Sequence, residues 1–191
     1  MKPYQTAVIF AGGKSRRMGK DKALLPFGDS QSLTHYQHTK LKKDFKDIYI
    51  SAKKNKFDFP CKIIKDIYPE SSPLVALLSI FKTLETKEVF VLSVDTPFID
   101  SRIIQHIMET KREGADIIVA KSPKGIQPLC ACYHRSIVPL LEAQYNIKNH
   151  KLTDLLHLAN IKQVPFKEEY PFTNLNHPKE YNAALLSLTT H

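Results

Sequence analysis

Hydrophobic residues along this chain follow two rhythms, short unbroken apolar runs and stretches spaced three or four apart, and the two alternate from one end to the other. The first run, Ala7-Val8-Ile9-Phe10, predicts a buried strand that breaks at Gly12-Gly13 into a loop. A helix is expected from near Ser32, with Leu33, Tyr36, Leu41 and Phe45 on or near one face. Ile48-Tyr49-Ile50, within 47–51, predicts a second strand, and Lys62-Ile63-Ile64-Lys65, within 61–66, a third. The spacing of Leu74, Leu77, Leu78 and Phe81 predicts a helix over 73–84 with Pro73 in its first turn. The most apolar run, Val89-Phe90-Val91-Leu92-Ser93-Val94, fits a central strand covered on both faces and stops at Asp95-Thr96-Pro97.

The same alternation continues beyond it. A helix through Ile103, Ile104, Ile107 and Met108 has Asp100 or Ser101 as its cap and Gly114 as its stop. Strands follow at Ala115–Ala120 and Gln127–Tyr133, the latter placed at a sheet edge by Pro128. Two short helices, 137–145 and 152–158, come next, with Thr153-Asp154 in cap-like positions of the second, and a last helix closes the chain. Together these elements predict an α/β fold, a three-layer Rossmann-like arrangement with a mostly parallel central sheet. In such a sheet ligands bind beyond the carboxyl ends of the strands, which would gather Ser51, Asp66 and Asp95 around the crevice entered by the Gly12 loop. Each of the three also suits an ordinary turn.

Length and charge narrow the picture. A chain of 191 residues suits one α/β domain with a single core and is short for two. A net charge of +9 admits nucleic acid or small anions as partners. Lysines are spread along the whole chain without an arginine-rich tail, which favours the small anions over nucleic acid. Cys61, Cys130 and Cys132 make no even disulfide framework, and Cys130-Ala131-Cys132 lacks the second pair of a zinc site, so free thiols in a reducing compartment are expected. His35 and His38 could share a helix face, but no further ligands lie near, and a packed or solvated pair is expected. The first apolar run is too short for a secretion signal or a membrane span, and a cytoplasmic location is expected.

Candidate chemistry concentrates between Ala7 and Leu25. Glycine main chain can approach phosphate oxygens closely and present successive N–H groups to them, and Lys14, Arg16, Arg17, Lys20 and Lys22 supply charge. A P-loop is excluded, because five residues separate Gly13 from Gly19 where the pattern has four, and Gly19-Lys20 is followed by Asp21 in place of Ser or Thr. The adjacent pair Gly12-Gly13 likewise fails the Gly-x-Gly-x-x-Gly pattern of dinucleotide binders. Asp95, at the tip of the most buried strand, is the carboxylate best placed to hold a hard cation. Asn174 and Asn176, just before the last helix, suit helix caps.

The run from Ala11 to Lys22, Ala-Gly-Gly-Lys-Ser-Arg-Arg-Met-Gly-Lys-Asp-Lys, resembles the signature of the nucleotidylyltransferases, and its Arg-Met-Gly-x-Asp-Lys form is similar to that of molybdenum cofactor guanylyltransferases of the MobA type. Asn174-Leu175-Asn176-His177-Pro178, before an acidic helix start, resembles the tail of the same family. The resemblance implies Mg²⁺-dependent transfer of GMP from GTP to the terminal phosphate of molybdopterin, with release of pyrophosphate. It implies one domain over 1–191, with a nucleotide-binding half at about 1–100 and an acceptor-binding half at about 101–191. Phe10, Ala11, Gly12, Gly13 and Lys22 would meet the nucleotide, Ser51 and Asp66 its nucleoside, and Asp95 both nucleotide and Mg²⁺. Lys22, Asp95 and Arg16 would be the catalytic groups, and Asn174 and Asn176 would lie on the acceptor side. Proteins that deliver or receive the cofactor are compatible partners.

Three departures from the family pattern stand out. Ser51 replaces a common asparagine, Ser71-Ser72-Pro73-Leu74-Val75-Ala76 replaces Pro-Gly-Pro-Leu-Ala-Gly, and His177 and Lys179 replace threonine and glutamate. A cytidylyltransferase or sugar-phosphate nucleotidylyltransferase would share the loop and Asp95. A nucleotide- or RNA-binding module without turnover is the alternative of another class.

Overall fold

In the computed structural model, which describes residues 3–13 and 19–188, the apolar runs become strands β1 (Tyr4–Phe10), β2 (Phe45–Ser51), β3 (Lys62–Ile64), β4 (Glu88–Ser93), β5 (Ile117–Ser122), β6 (Gly125–His134) and β7 (Ile161–Pro165). The helices are α1 (Leu33–Leu41), α2 (Pro73–Thr83), α3 (Ser101–Met108), α4 (Val138–Asn146), α5 (Leu152–Leu158) and α6 (Pro178–Leu188). All seven strands join one sheet in the order β3-β2-β1-β4-β6-β5-β7, and β6 alone runs against its neighbours.

Strand side chains point alternately to the two faces, and each face is buried under its own helices. Ile9, Phe90 and Leu92 pack with Leu33 and Leu41 of α1 and Ile104 of α3. Val8, Val89 and Val91 pack on the other side with Leu74, Leu77 and Phe81 of α2, Leu141 of α4 and Leu155 of α5. Burying one such Leu, Ile or Phe side chain is worth about 1.5–3 kcal/mol, so these two layers carry the fold. The three-layer, mostly parallel architecture expected from the alternation is what forms.

Several local expectations are corrected. Phe45 does not close the first helix; α1 ends at Leu41, and Phe45 opens β2, stacked on Phe90 with ring centroids 5.4 Å apart. β6 is not an edge strand but lies between β4 and β5. Its register against β5 jumps from Val119↔Ala131 to Ala120↔Gln127, so Pro128, Leu129 and Cys130 bulge out of that ladder, where a missing N–H costs nothing. Gly114 does not stop α3, which ends at Met108; it takes φ 84° in the loop beyond. α5 is entered from Lys151, and Thr153 and Asp154 lie inside its first turn, where a carboxylate suits the positive helix end. Asp100 is the cap of α3, accepting from Ile103 N at 3.0 Å. β7, missed from the pattern, has only Ile161 and Val164 as apolar residues before Pro165.

The order of strands fixes where a ligand can sit. β2 and β3 extend the sheet on one side of β1 and β4 starts the other, so the chain reverses direction of winding between β1 and β4 and leaves a crevice at their carboxyl tips. Because β6 is antiparallel, it brings its beginning to that same rim, joined to β5 by a tight turn at Pro123-Lys124.

Cys130 and Cys132 are buried and Cys61 half-buried, all three as free thiols. His35 and His38 pack on Phe59, with ring centroids 4.6 and 5.2 Å away. Burial, with Lys42 and His35 nearby, lowers the His38 imidazole from 6.5 to about 4. Between those values the unfolded chain binds more protons than the folded one, so stability present above pH 6.5 is lost as pH falls toward 4. Urea midpoints are expected to drop between pH 7 and pH 4.5, and to drop less in His38→Gln. Among the described residues, no helix is long and apolar enough to cross a membrane.

Candidate active site

Main-chain bonds tie the strand tips together before any side chain enters. Ala11 N donates to Ser51 O at 3.1 Å and Val94 N to Phe10 O at 3.1 Å, so the ends of β1, β2 and β4 are locked in register. Gly12 and Gly13 then leave the sheet into a cavity of about 360 Å³ that Lys22, Asp95 and Asn176 also line. A Cβ on Gly13 would meet nothing within 4 Å, and neither glycine has a positive φ, so nothing inside the protein requires glycine there. What a side chain would obstruct is an approach from the cavity. Gly19, at φ 65°, is the loop glycine that the backbone itself needs.

Lys22 enters from the far end of the loop. The side chain of Asp21 caps a short 3-10 turn over Lys22–Leu24 by accepting from Ala23 N at 3.1 Å. The Lys22 ammonium thereby reaches Asp95 Oδ2 at 2.6 Å and Asn176 Oδ1 at 3.0 Å. Asp95 Oδ1 accepts from Ser93 Oγ at 2.5 Å, which fixes the plane of the carboxylate. Side-chain exposures of 15% for Lys22 and 13% for Asp95 make this a shielded pair, whose attraction water screens less than at an open surface.

The tail is strapped to the same point. Leu175 N donates to the main-chain oxygen of Asp95 at 2.9 Å. Glu180 takes the cap role that the asparagines suited, accepting from Asn176 N at 2.6 Å and His177 N at 2.9 Å. That leaves the Asn176 carboxamide to face Lys22. Asn174 points elsewhere, into a neighbouring cavity of about 300 Å³ shared with Asp95, Gln127, Leu129 and Leu152.

Ser51 and Asp66 line a third cavity of about 580 Å³ that meets the first along Phe10, Gly12, Gly13 and Ser93. Burial raises the Asp66 carboxyl above its ordinary range, with Lys53 pulling the other way. Ser72 and Ala76 also line this cavity, and Ser72 Oγ is already used, accepting from Val75 N at 3.2 Å to cap α2. Arg16, with Lys14 and Arg17, lies outside the described residues.

Three residues at the site carried no sequence signal. Lys56 forms an ion pair with Asp21 and lies 3.4 Å from Ala11 O, so one ammonium bridges both ends of the glycine loop. Within Lys53-Lys54-Asn55-Lys56 it reads as one more solvated lysine. Ser93 orients Asp95, and Leu129 borders all three cavities. Leu129 stands on the β6 bulge, which Tyr133 steadies by donating its hydroxyl to Pro128 O at 3.0 Å.

The donor set suits a hard cation. Asp95 Oδ2 and Asn176 Oδ1 converge on one positive group, the Lys22 ammonium, and both are oxygens. Among the described residues no group of three or more His, Cys, Asp or Glu could hold a metal by itself. One carboxylate beside a phosphate-sized cavity is how Mg²⁺ is held when substrate phosphates complete its shell, whereas an all-protein cage suits other metals.

A family profile described as MobA-like NTP transferase domain matches residues 7–164. A molybdenum cofactor guanylyltransferase from Campylobacter jejuni is 38% identical over 176 residues, covering 91% of this chain and 92% of its own. One from Helicobacter pylori is 33% identical over 186 residues, covering 93% and 87%. Among solved structures, molybdopterin-guanine dinucleotide biosynthesis protein A from Archaeoglobus fulgidus superposes with a TM-score of 0.84 at 19% identity, over 97% of this chain and 100% of the other, a likeness of fold.

Proposed function

Because the chain belongs to the MobA-like NTP transferase family, and is therefore a nucleotidyltransferase, we propose that it transfers GMP from GTP to the terminal phosphate of molybdopterin, releasing pyrophosphate with Mg²⁺ as cofactor. The observation that carries the reading is the meeting of the Gly12-Gly13 main chain with Lys22, Asp95 and Asn176 in one cavity at the point where the sheet reverses. Identities of 38% and 33% to named guanylyltransferases support the choice of nucleotide and acceptor.

A terminal phosphate is already an anion, so the reaction calls for charge neutralisation and in-line placement more than for a base. An acceptor oxygen bonds to the α-phosphorus while the bond from that phosphorus to the bridging oxygen breaks, and pyrophosphate leaves with the electron pair. Gly12 and Gly13 N–H groups fix phosphate oxygens, and Lys22 offsets their charge. Asp95, with Asn176 beside it, would hold Mg²⁺, which when bound supplies further charge neutralisation at the phosphates. Arg16, which lies outside the described residues, would add a further cation.

The cavity with Ser51 and Asp66 takes the nucleoside, and the one with Asn174, Gln127 and Leu129 takes the acceptor. Residues 1–100 thus serve mainly the nucleotide and 101–191 mainly the acceptor, within one domain. Proteins handing molybdopterin in, or taking the dinucleotide away, are the partners this chemistry calls for.

The test is incubation of the purified protein with molybdopterin, Mg²⁺ and each of the four nucleoside triphosphates, followed by identification of the dinucleotide. GTP should give the guanine dinucleotide and pyrophosphate, and chelation of Mg²⁺ should abolish both. A preference for CTP would replace guanine by cytosine, and no product with any nucleotide would leave the transfer reading without support.

A further inference from the structure

Helix α1 turns a polar row inward, where a helix packed on a sheet ordinarily presents apolar residues. Thr34, Gln37 and Lys40 stand three apart, one above another on the helix, and Thr34 and Gln37 are wholly buried. Among the described residues, the hydrogen bonds their side chains donate all end on main-chain carbonyls of one of two segments. Thr34 Oγ1 donates to Ala23 O at 2.7 Å, inside the turn that carries Lys22. Gln37 Nε2 donates to Thr96 O at 2.9 Å and Ser93 O at 3.3 Å, on either side of Asp95. Lys40 Nζ donates to Pro97 O at 2.6 Å and sits over the Tyr36 ring. Leu33 N, at the helix start, donates to Leu25 O at 2.7 Å.

Gln37 shows that this arrangement is more than packing. Its carboxamide oxygen is buried without a partner among the described residues, a desolvation cost that an apolar side chain of the same size would avoid. The nitrogen end, meanwhile, holds carbonyls of the turn where β4 stops. The Lys22 turn and the Asp95 turn are 73 residues apart in sequence and meet through one ion pair in the cavity and through this row behind it.

We propose that Thr34, Gln37 and Lys40 form a positioning row that sets the Lys22 turn against the Asp95 turn, with Gln37 as its central member. The inference rests on the reading of Lys22 and Asp95 as the groups that meet the nucleotide and its cation. It assigns to α1 the separation at which ammonium and carboxylate are presented to the phosphates.

Gln37→Met keeps the side-chain volume and removes both donors, and Thr34→Val keeps the shape and removes the hydroxyl. Two measurements on the full chain decide the matter. One is GTP affinity by calorimetry with and without Mg²⁺, and the other is amide hydrogen exchange at 94–96 in the protein without nucleotide. In Gln37→Met the affinity gained from Mg²⁺ should fall about fivefold, the metal-free affinity should change less than about twofold, and exchange at 94–96 should quicken while β1 stays protected. Thr34→Val should quicken exchange at 22–25 instead. A general loss of protection, or equal losses of affinity with and without Mg²⁺, would show a structural role only and overturn the proposal. Unchanged values in both variants would overturn it too, and if Gln37→Met does not fold, Thr34→Val decides by the same measurements. If the wild-type affinity for GTP is indifferent to Mg²⁺, the functional reading falls, and exchange alone then supports or overturns the row.

Discussion

Asp95→Asn is expected to lower pyrophosphate release by about 10³, the scale on which a single electrostatic contact made in the transition state is lost. Asparagine matches the shape of aspartate: its oxygen can accept from Lys22 Nζ while its Nδ2 donates to Ser93 Oγ, which turns its hydroxyl to accept, so both side-chain contacts of Asp95 in the cavity keep a partner. What it removes is the negative charge that would hold a divalent cation beside the phosphates. The thermal midpoint should therefore stay within a few degrees of the wild type, and added Mg²⁺ should restore little of the rate. A steady-state assay with molybdopterin and GTP checks this, and turnover within tenfold of the wild type would remove Asp95 from the chemistry. A binding module without turnover would instead show nearly unchanged nucleotide affinity and no pyrophosphate in either protein.

Lys22→Met should lower kcat/KM for GTP by about 10², less than the loss of the cation-holding carboxylate, because the loop amides remain to fix the phosphates. The substitution leaves Asp95 and Asn176 facing each other without the ammonium between them. The carboxylate is then shielded without its charged partner, so Mg²⁺ should bind the free variant at least as well as the wild type. Stopped or steady-state kinetics together with metal titration separates the two effects. A variant that loses Mg²⁺ affinity along with rate would show that Lys22 shapes the cation site rather than the phosphates.

The contrast between these two residues and those the pattern did not reveal has a physical basis. Gly12, Gly13, Lys22 and Asp95 could be read because each is marked by its immediate neighbours: a loop with adjacent glycines, a basic run, and the end of the most apolar strand. Asn176 is ambiguous because the local signal, an asparagine ahead of a helix, describes a cap as well as a ligand; only the reach of Glu180 back to the main chain shows that the cap role is taken by another residue. Lys56, Gln37 and Leu129 depend on contacts tens of residues away. A lysine in a basic loop, a glutamine in a helix and a leucine in a strand carry no mark of such partners.

The misplacement of β6 has a similar cause. Pro128 correctly signals a missing N–H, but whether that falls at an edge or in a bulge is a property of two strands together, and the register jump beside Val119 belongs to the pair. β7 is short and half polar, and its strand state comes from pairing with β5, where Ile117 to Lys121 supply the template.

The direction of β6 has one more consequence. The wall over Asp95 is built from the start of a strand, directly after the tight turn at Pro123-Lys124, so that turn can grow or shrink without sliding any of the strands that lead to Gly12, Ser51 and Asp95. If the cavity with Asn174, Gln127 and Leu129 takes the acceptor, as proposed, exchange of this one hairpin is the least disruptive way to change which acceptor is admitted, with the opposite rim kept as a constant part.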